Sequence, residues 1–113
     1  MNVKTPEQLV IDTANEYLKK NLNLITKLGY LQELNLEGKN TLITNLNDAL
    51  YLLLEVSQEL GDDFFVDEEK DRTDADFLMK IGDKYIKVYM DNNGLYSHVS
   101  YGQKAIECKV VIK

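Results

Sequence analysis

Three short reversals in the last third of the chain, Gly82-Asp83, Asn93-Gly94 and Gly102-Gln103, limit the fold more than any other feature. Glycine and asparagine tolerate the positive φ that two-residue hairpin loops require. Taken as such loops, the reversals dictate partners: Phe77 opposite Val88, Met79 opposite Ile86, Val88 opposite Val99, and Val99 opposite Ile106. Every pairing then puts apolar residues on one face, which holds Phe77, Met79, Ile81, Ile86, Val88, Met90, Leu95, Val99, Ile106, Cys108, Val110 and Ile112. A slip of one residue would turn a strand inside out, so agreement among the turns predicts a four-stranded antiparallel meander over residues 77–113.

The same register writes out the opposite face as cross-strand rows. These are Tyr89, His98 and Glu107; Leu78, Lys87, Ser100 and Ala105; Tyr96 with Lys109; and Lys80 with Tyr85. No segment remains to cover this face, which is expected to be open and to carry three tyrosines, three lysines and the chain's one histidine.

The first 61 residues read as helical. Thr5-Pro6-Glu7-Gln8 is a helix start, with a hydroxyl cap and proline at the first turn. Val10, Ile11, Ala14, Tyr17, Leu18, Leu24, Ile25 and Leu28 fall on one side of a helix that Gly29 stops. Asn21 lands inside that stripe, and an unbroken helix is favoured over a break at KKNLNL. A second helix, capped by Asn40 or Thr41 and stopped by Gly61, carries Leu42, Ile43, Leu46, Ala49, Leu50, Leu53, Val56, Ser57 and Leu60 on one face. Between them, Leu31, Leu34 and Leu36 suit a short helical turn or a small hairpin. The expected architecture is α+β, with two N-terminal amphipathic helices packed on one face of the sheet in the order ααββββ.

At 113 residues, 44% apolar and 28% charged, the chain is expected to be a single domain with an ordinary core. Its parts are a helical half at 1–61, an acidic connector at 62–76 and the sheet at 77–113. The opening residues lack a signal-peptide pattern, and the longest apolar run, Ala49 to Leu54, is too short to cross a bilayer. One cysteine, Cys108, allows no internal disulfide and is read as a buried core thiol. A cytoplasmic setting is expected. Twelve lysines against one arginine, with frequent asparagine, suggest an AT-rich bacterial or phage genome.

Charge is concentrated in the connector, where eight acids against two bases carry −6, equal to the net charge of the whole chain. As a calcium loop starting at Asp67, with Glu69 and Asp71 as further ligands, it fails at Arg72, where glycine is needed, and at Leu78, where a bidentate glutamate belongs. No metal is expected. Charge runs ordinarily face solvent, yet carboxylates at this density also suit mimicry of phosphates in a nucleic-acid groove. Asp67, Glu68, Glu69, Asp71, Asp74 and Asp76 are therefore candidate partner-binding residues, with Phe64, Phe65 and Val66 tucked into the core. Tyr85, Lys87, Tyr89, Tyr96 and His98 on the sheet face are the others, since tyrosine is favoured at protein interfaces.

His98 between Tyr89 and Glu107 invites an acid–base reading. No nucleophile joins it, because Ser97 and Cys108 should point to the other face, and a cross-strand polar row explains the trio. Glycine-rich phosphate loops and the serine-hydrolase elbow are missing from the sequence. No catalytic residue and no cofactor is expected. In size, acidity and lack of catalytic signatures the chain is similar to the inhibitors that phages and mobile elements direct against bacterial defence nucleases, anti-CRISPR proteins among them. That likeness is one of composition and implies a non-enzymatic protein-binding inhibitor or accessory protein, monomeric or homodimeric, acting on a nuclease or other nucleic-acid-binding enzyme. A toxin-neutralising immunity protein fits the same composition. Single-stranded nucleic acid stacked on the Tyr/Lys face is the alternative, opposed by the net charge of −6.

Overall fold

The computed structural model describes residues 4–34, 42–66 and 75–102. Within them the chain is α+β, with helices packed on one face of an antiparallel sheet. Three strands, β1 (Phe77–Ile81), β2 (Lys84–Met90) and β3 (Tyr96–Gly102), pair in the order β1-β2-β3. The fourth expected strand, with Cys108 and Glu107, falls outside the described residues. No helix among the described residues is long and apolar enough to cross a membrane.

The register expected from the turns is present in the body of the sheet. Phe77 pairs with Val88 and Met79 with Ile86, and across the next ladder Lys87 pairs with Ser100, Val88 with Val99 and Tyr89 with His98. Met79, Ile86 and Val88 are fully buried beneath the helices. Near the second hairpin the expectation fails. The ladder shifts after Tyr89, so that Met90 pairs with Tyr96 and Ser97 becomes an extra residue on β3. The loop is correspondingly wider than two residues. Asp91 N–H donates to the Leu95 carbonyl at 2.8 Å, the Asp91 carboxylate accepts from the N–H groups of Asn93 and Leu95, and Gly94 sits at φ 81°. Leu95, expected in the core, is instead 55% exposed in this loop.

Helix α1 (Pro6–Lys20) begins as expected, with the Thr5 hydroxyl accepting from Gln8 N–H, and buries Val10, Ala14, Tyr17 and Leu18. It does not run on to Gly29. Asn21 leaves the helical region at φ −116°, ψ 25°, and both its backbone N–H and its side-chain amide donate to the Tyr17 carbonyl. That local bond competes with helix continuation. The chain restarts as α2 (Leu22–Lys27), which buries Ile25 but leaves Leu24 and Leu28 exposed. A single turn, α3 (Tyr30–Glu33), follows Gly29.

The second long helix starts later than expected. Asn45, not Asn40 or Thr41, is the cap, its side chain accepting from Asp48 N–H, and Leu42 is exposed. Ile43 is nevertheless 1% exposed, because Asn15 on α1 grips its peptide from both sides: the amide donates to the Ile43 carbonyl at 2.9 Å and the Asn15 oxygen accepts from Ile43 N–H at 2.7 Å. From there α4 (Leu46–Leu50) passes into a π-helical segment (Tyr51–Val56) and ends as α5 (Ser57–Glu59). Leu52, Leu53, Leu54 and Val56 are all buried, more than one α-helical stripe can hide, and the segment lies in the middle of the core. Gly61 stops the helix at φ 92°, with Asp62 N–H donating to Ser57 C=O and Gly61 N–H to Gln58 C=O.

After this stop, Phe64 to Val66 return alongside β1. Lys80 N–H donates to the Phe64 carbonyl, Val66 N–H donates to the Leu78 carbonyl, and Phe65 bridges Met79. Phe64 and Phe65 pack on the core as expected, and their backbone also occupies the outer edge of β1.

Candidate functional site

The expected sheet platform is present in part. Tyr89 stacks on His98 with ring centroids 4.4 Å apart and planes within 8°, and the Lys80 ammonium lies 5.6 Å from the Tyr85 ring centre. Lys87 shares this face through its pairing with Leu78 and Ser100. Leu78, assigned to the same open face, is 1% exposed, so the face is not the bare surface expected. A side chain at Gly102 would meet Lys87 at 3.2 Å and Leu78 at 3.4 Å, which shows how closely this row is packed.

Two assignments on the sheet are corrected. The extra residue at Ser97 turns Tyr96 to the helix side, where it pairs with Met90 and its ring lies 6.4 Å from that of Phe77. Ser97 in turn is not directed away from His98. Its hydroxyl lies 3.1 Å from His98 Nδ1 and donates to the Tyr89 carbonyl. A hydroxyl that donates to a backbone carbonyl is not the arrangement of a nucleophile giving its proton to a base.

Of the acidic candidates, Asp67, Glu68, Glu69, Asp71 and Asp74 lie outside the described residues. Asp76 is exposed and holds the end of the sheet, its carboxylate accepting from Met90 N–H at 2.7 Å while its own N–H donates to Val88 C=O. Among the described residues no three His, Cys, Asp or Glu side chains gather closely enough to hold a metal ion.

The relocation of Tyr96 builds a site that the pairing pattern did not announce. On the helix side of the sheet end, an open groove of about 720 Å³ runs between the π-helical segment and the strands. Phe65, Phe77, Met90 and Tyr96 form its sheet wall, with Phe65 and Phe77 in ring contact at 5.3 Å. Tyr51 and Glu55 from the π-helix, Gln58 and Glu59 from α5, and Tyr30 from α3 form the other. A second recess of about 330 Å³ adjoins it, sharing Tyr51, Glu55 and Tyr96 and adding Glu33, Asn47, Asp48 and Leu95. The two make one trough divided by the shared residues.

Two phenol–carboxylate bonds brace that divide. The Tyr51 hydroxyl donates to Glu33 at 2.7 Å and the Tyr96 hydroxyl to Glu55 at 2.8 Å. The first bond, with burial behind it, pushes the Tyr51 phenol up to about 12. Burial, then the Glu55 bond, raises Tyr96 well above the ordinary phenol value. Both phenols are neutral donors at any physiological pH. Glu33, Asp48, Glu55 and Glu59 line the trough, and none of its described lining residues is Lys, Arg or His.

The π-helix matters to this arrangement. Its wider turns, in which Ser57 N–H reaches the Leu52 carbonyl five residues back, place Tyr51 and Glu55 on the trough while Leu52, Leu53 and Leu54 stay buried. Short π segments recur at functional sites. The sequence signal for this wall was the unbroken buried run Leu52-Leu53-Leu54, too apolar for one helical stripe. The five rings come from separate elements, so sequence spacing alone could not unite them.

No protein-family model matches the chain, and neither the curated proteins nor the solved structures give a match.

Proposed function

We propose that this chain is a non-enzymatic protein-binding domain, an inhibitor or accessory protein, that engages another protein through the trough between the π-helix and the sheet end. The observation that carries this reading is the gathering of Tyr30, Tyr51, Phe65, Phe77 and Tyr96 around one open groove with carboxylates at its rim. Aromatic residues are enriched at protein interfaces and dominate their energetics. A nuclease or other nucleic-acid-handling enzyme is the favoured partner class, since such enzymes present Arg/Lys-rich grooves that complement an acidic chain. In that role the protein would act in a bacterial or phage-infected cytoplasm, as anti-CRISPR-like inhibitors and toxin-neutralising immunity proteins do.

The test is quantitative affinity capture from bacterial lysate with three baits: wild type, Gln58→Trp, which fills the groove from an exposed position, and Lys80→Ala on the opposite sheet face. A specific protein lost by Gln58→Trp and kept by Lys80→Ala is the expected result. Equal capture by wild type and Gln58→Trp would overturn the reading.

Single-stranded nucleic-acid binding is the second reading, favoured by the placing of Tyr85, Lys87, Tyr89 and His98 on one sheet face. It requires oligonucleotide binding at low salt that Lys80→Ala weakens. A flat fluorescence-anisotropy titration removes it.

A further inference from the structure

We infer that the trough seats an arginine-bearing basic segment of the partner, with a guanidinium held at Glu55 between the rings of Tyr51 and Tyr96. This rests on the docking reading above and names the chemistry of its occupant. The argument starts from the hydroxyl protons. Tyr51 and Tyr96 have each committed their one O–H to a carboxylate, Glu33 and Glu55. What the dividing wall still presents to a ligand is therefore acceptors: the second carboxylate oxygens, phenol lone pairs and π faces. A phosphate or a peptide carboxylate would find no free hydroxyl proton on that wall, only the Asn47 and Gln58 amides and the Tyr30 hydroxyl elsewhere in the trough, and would meet four acids.

A guanidinium reverses every one of those mismatches. It brings five donors and no acceptor, its charge opposes that of Glu55 and Glu59, and its plane stacks on aromatic rings. Lysine meets the charge but not the stacking or the forked geometry, so arginine is the better occupant. Glu55 borders both the groove and the recess. A segment crossing the divide can thus place one basic side chain at Glu55 and a second toward Glu33 and Asp48.

The test uses the intact protein and a capped glycine-serine octapeptide carrying two arginines, beside the same peptide with citrulline, which keeps the shape and removes the charge. Binding is followed by NMR shifts of the backbone amides of Tyr51, Glu55 and Tyr96. The arginine peptide should bind at least about tenfold more tightly than the citrulline peptide, the scale of a charge-assisted contact with cation–π support. Its affinity should fall as NaCl is raised from about 20 to about 300 mM, because exposed charge pairs are screened. Glu55→Gln keeps an acceptor for the Tyr96 hydroxyl and removes the charge, and should weaken the arginine peptide about threefold or more with an unchanged amide spectrum elsewhere.

Equal binding of the two peptides, or undiminished binding by Glu55→Gln, would overturn the arginine site while leaving polypeptide docking intact. If neither peptide shifts these amides, the site is likewise overturned, and the capture experiment with Gln58→Trp judges the docking reading on its own.

Discussion

Asn15→Ala offers a demanding test of how this fold is held together. Asn15 makes two bonds to the Ile43 peptide across 28 residues of sequence, at 2.9 Å and 2.7 Å, and acts as a short piece of backbone between α1 and the segment leading into α4. Truncation to alanine removes both partners at once. Each bond contributes roughly 1 kcal/mol net, and a part-buried N–H and C=O left without partners raise the total to about 2–4 kcal/mol. In a chain of this length that corresponds to a fall in Tm of roughly 10 °C.

Urea unfolding followed by circular dichroism measures the loss directly, and the m-value should stay the same if only the native state is affected. A double-mutant cycle sharpens it. Ile43→Val should cost about 1 kcal/mol in the wild-type background, and clearly less with Asn15→Ala, since a released segment no longer holds Ile43 at 1% exposure. Asn15→Asp keeps the acceptor for Ile43 N–H but sets a carboxylate against the Ile43 carbonyl, so it should be most harmful at neutral pH. A loss below about 0.5 kcal/mol for Asn15→Ala, the range of ordinary surface changes, would refute the reasoning.

Two other outcomes follow from the geometry. The folded Tyr51 phenol is pushed up to about 12 while the same group unfolded titrates near 10, so its contribution is intact below about pH 10 and is lost as pH rises toward 12. Tyr17, raised by burial and its bond to Asp62, and Tyr96 add to the same alkaline decline, which spectrophotometric titration of native against urea-denatured protein should reveal as late-ionising phenols. Gly61→Ala should destabilise by about 1 kcal/mol in chemical denaturation, because a Cβ is strained at φ 92° although nothing lies within 4 Å to obstruct it.

How much of this was legible beforehand differs by element. The body of the sheet could be read because period-two alternation and glycine-bearing turns fix one another: Gly82 reverses the chain, and Met79 against Ile86 follows. The inserted Ser97 could not, since a bulge changes which way Tyr96 points without changing the apolar pattern that register reasoning relies on. The break at Asn21 was legible only as the less favoured of two readings, because Ile25 stays buried whether the helix continues or restarts. Ile43 was rightly placed in the core but wrongly on a helix. A side chain 28 positions earlier supplies the bonds that a helix would have given its peptide. The trough was least legible, being assembled from rings on α3, the π-helix, the Phe64–Val66 return and the strands. Among the described candidates only Tyr96 belongs to it, and the pairing pattern assigns it to the other face.

The inserted residue on β3 gives this protein an unusual evolutionary lever. Losing the single codon for Ser97 would restore strict alternation up to the hairpin and leave Tyr96 in the regular place opposite Met90, its phenol still on the side of Glu55. Buried Met79, Ile86 and Val88 would keep their partners. A lineage could thus discard or regain the hydroxyl beside His98 in one step while the groove's dividing wall and the interior stay as they are.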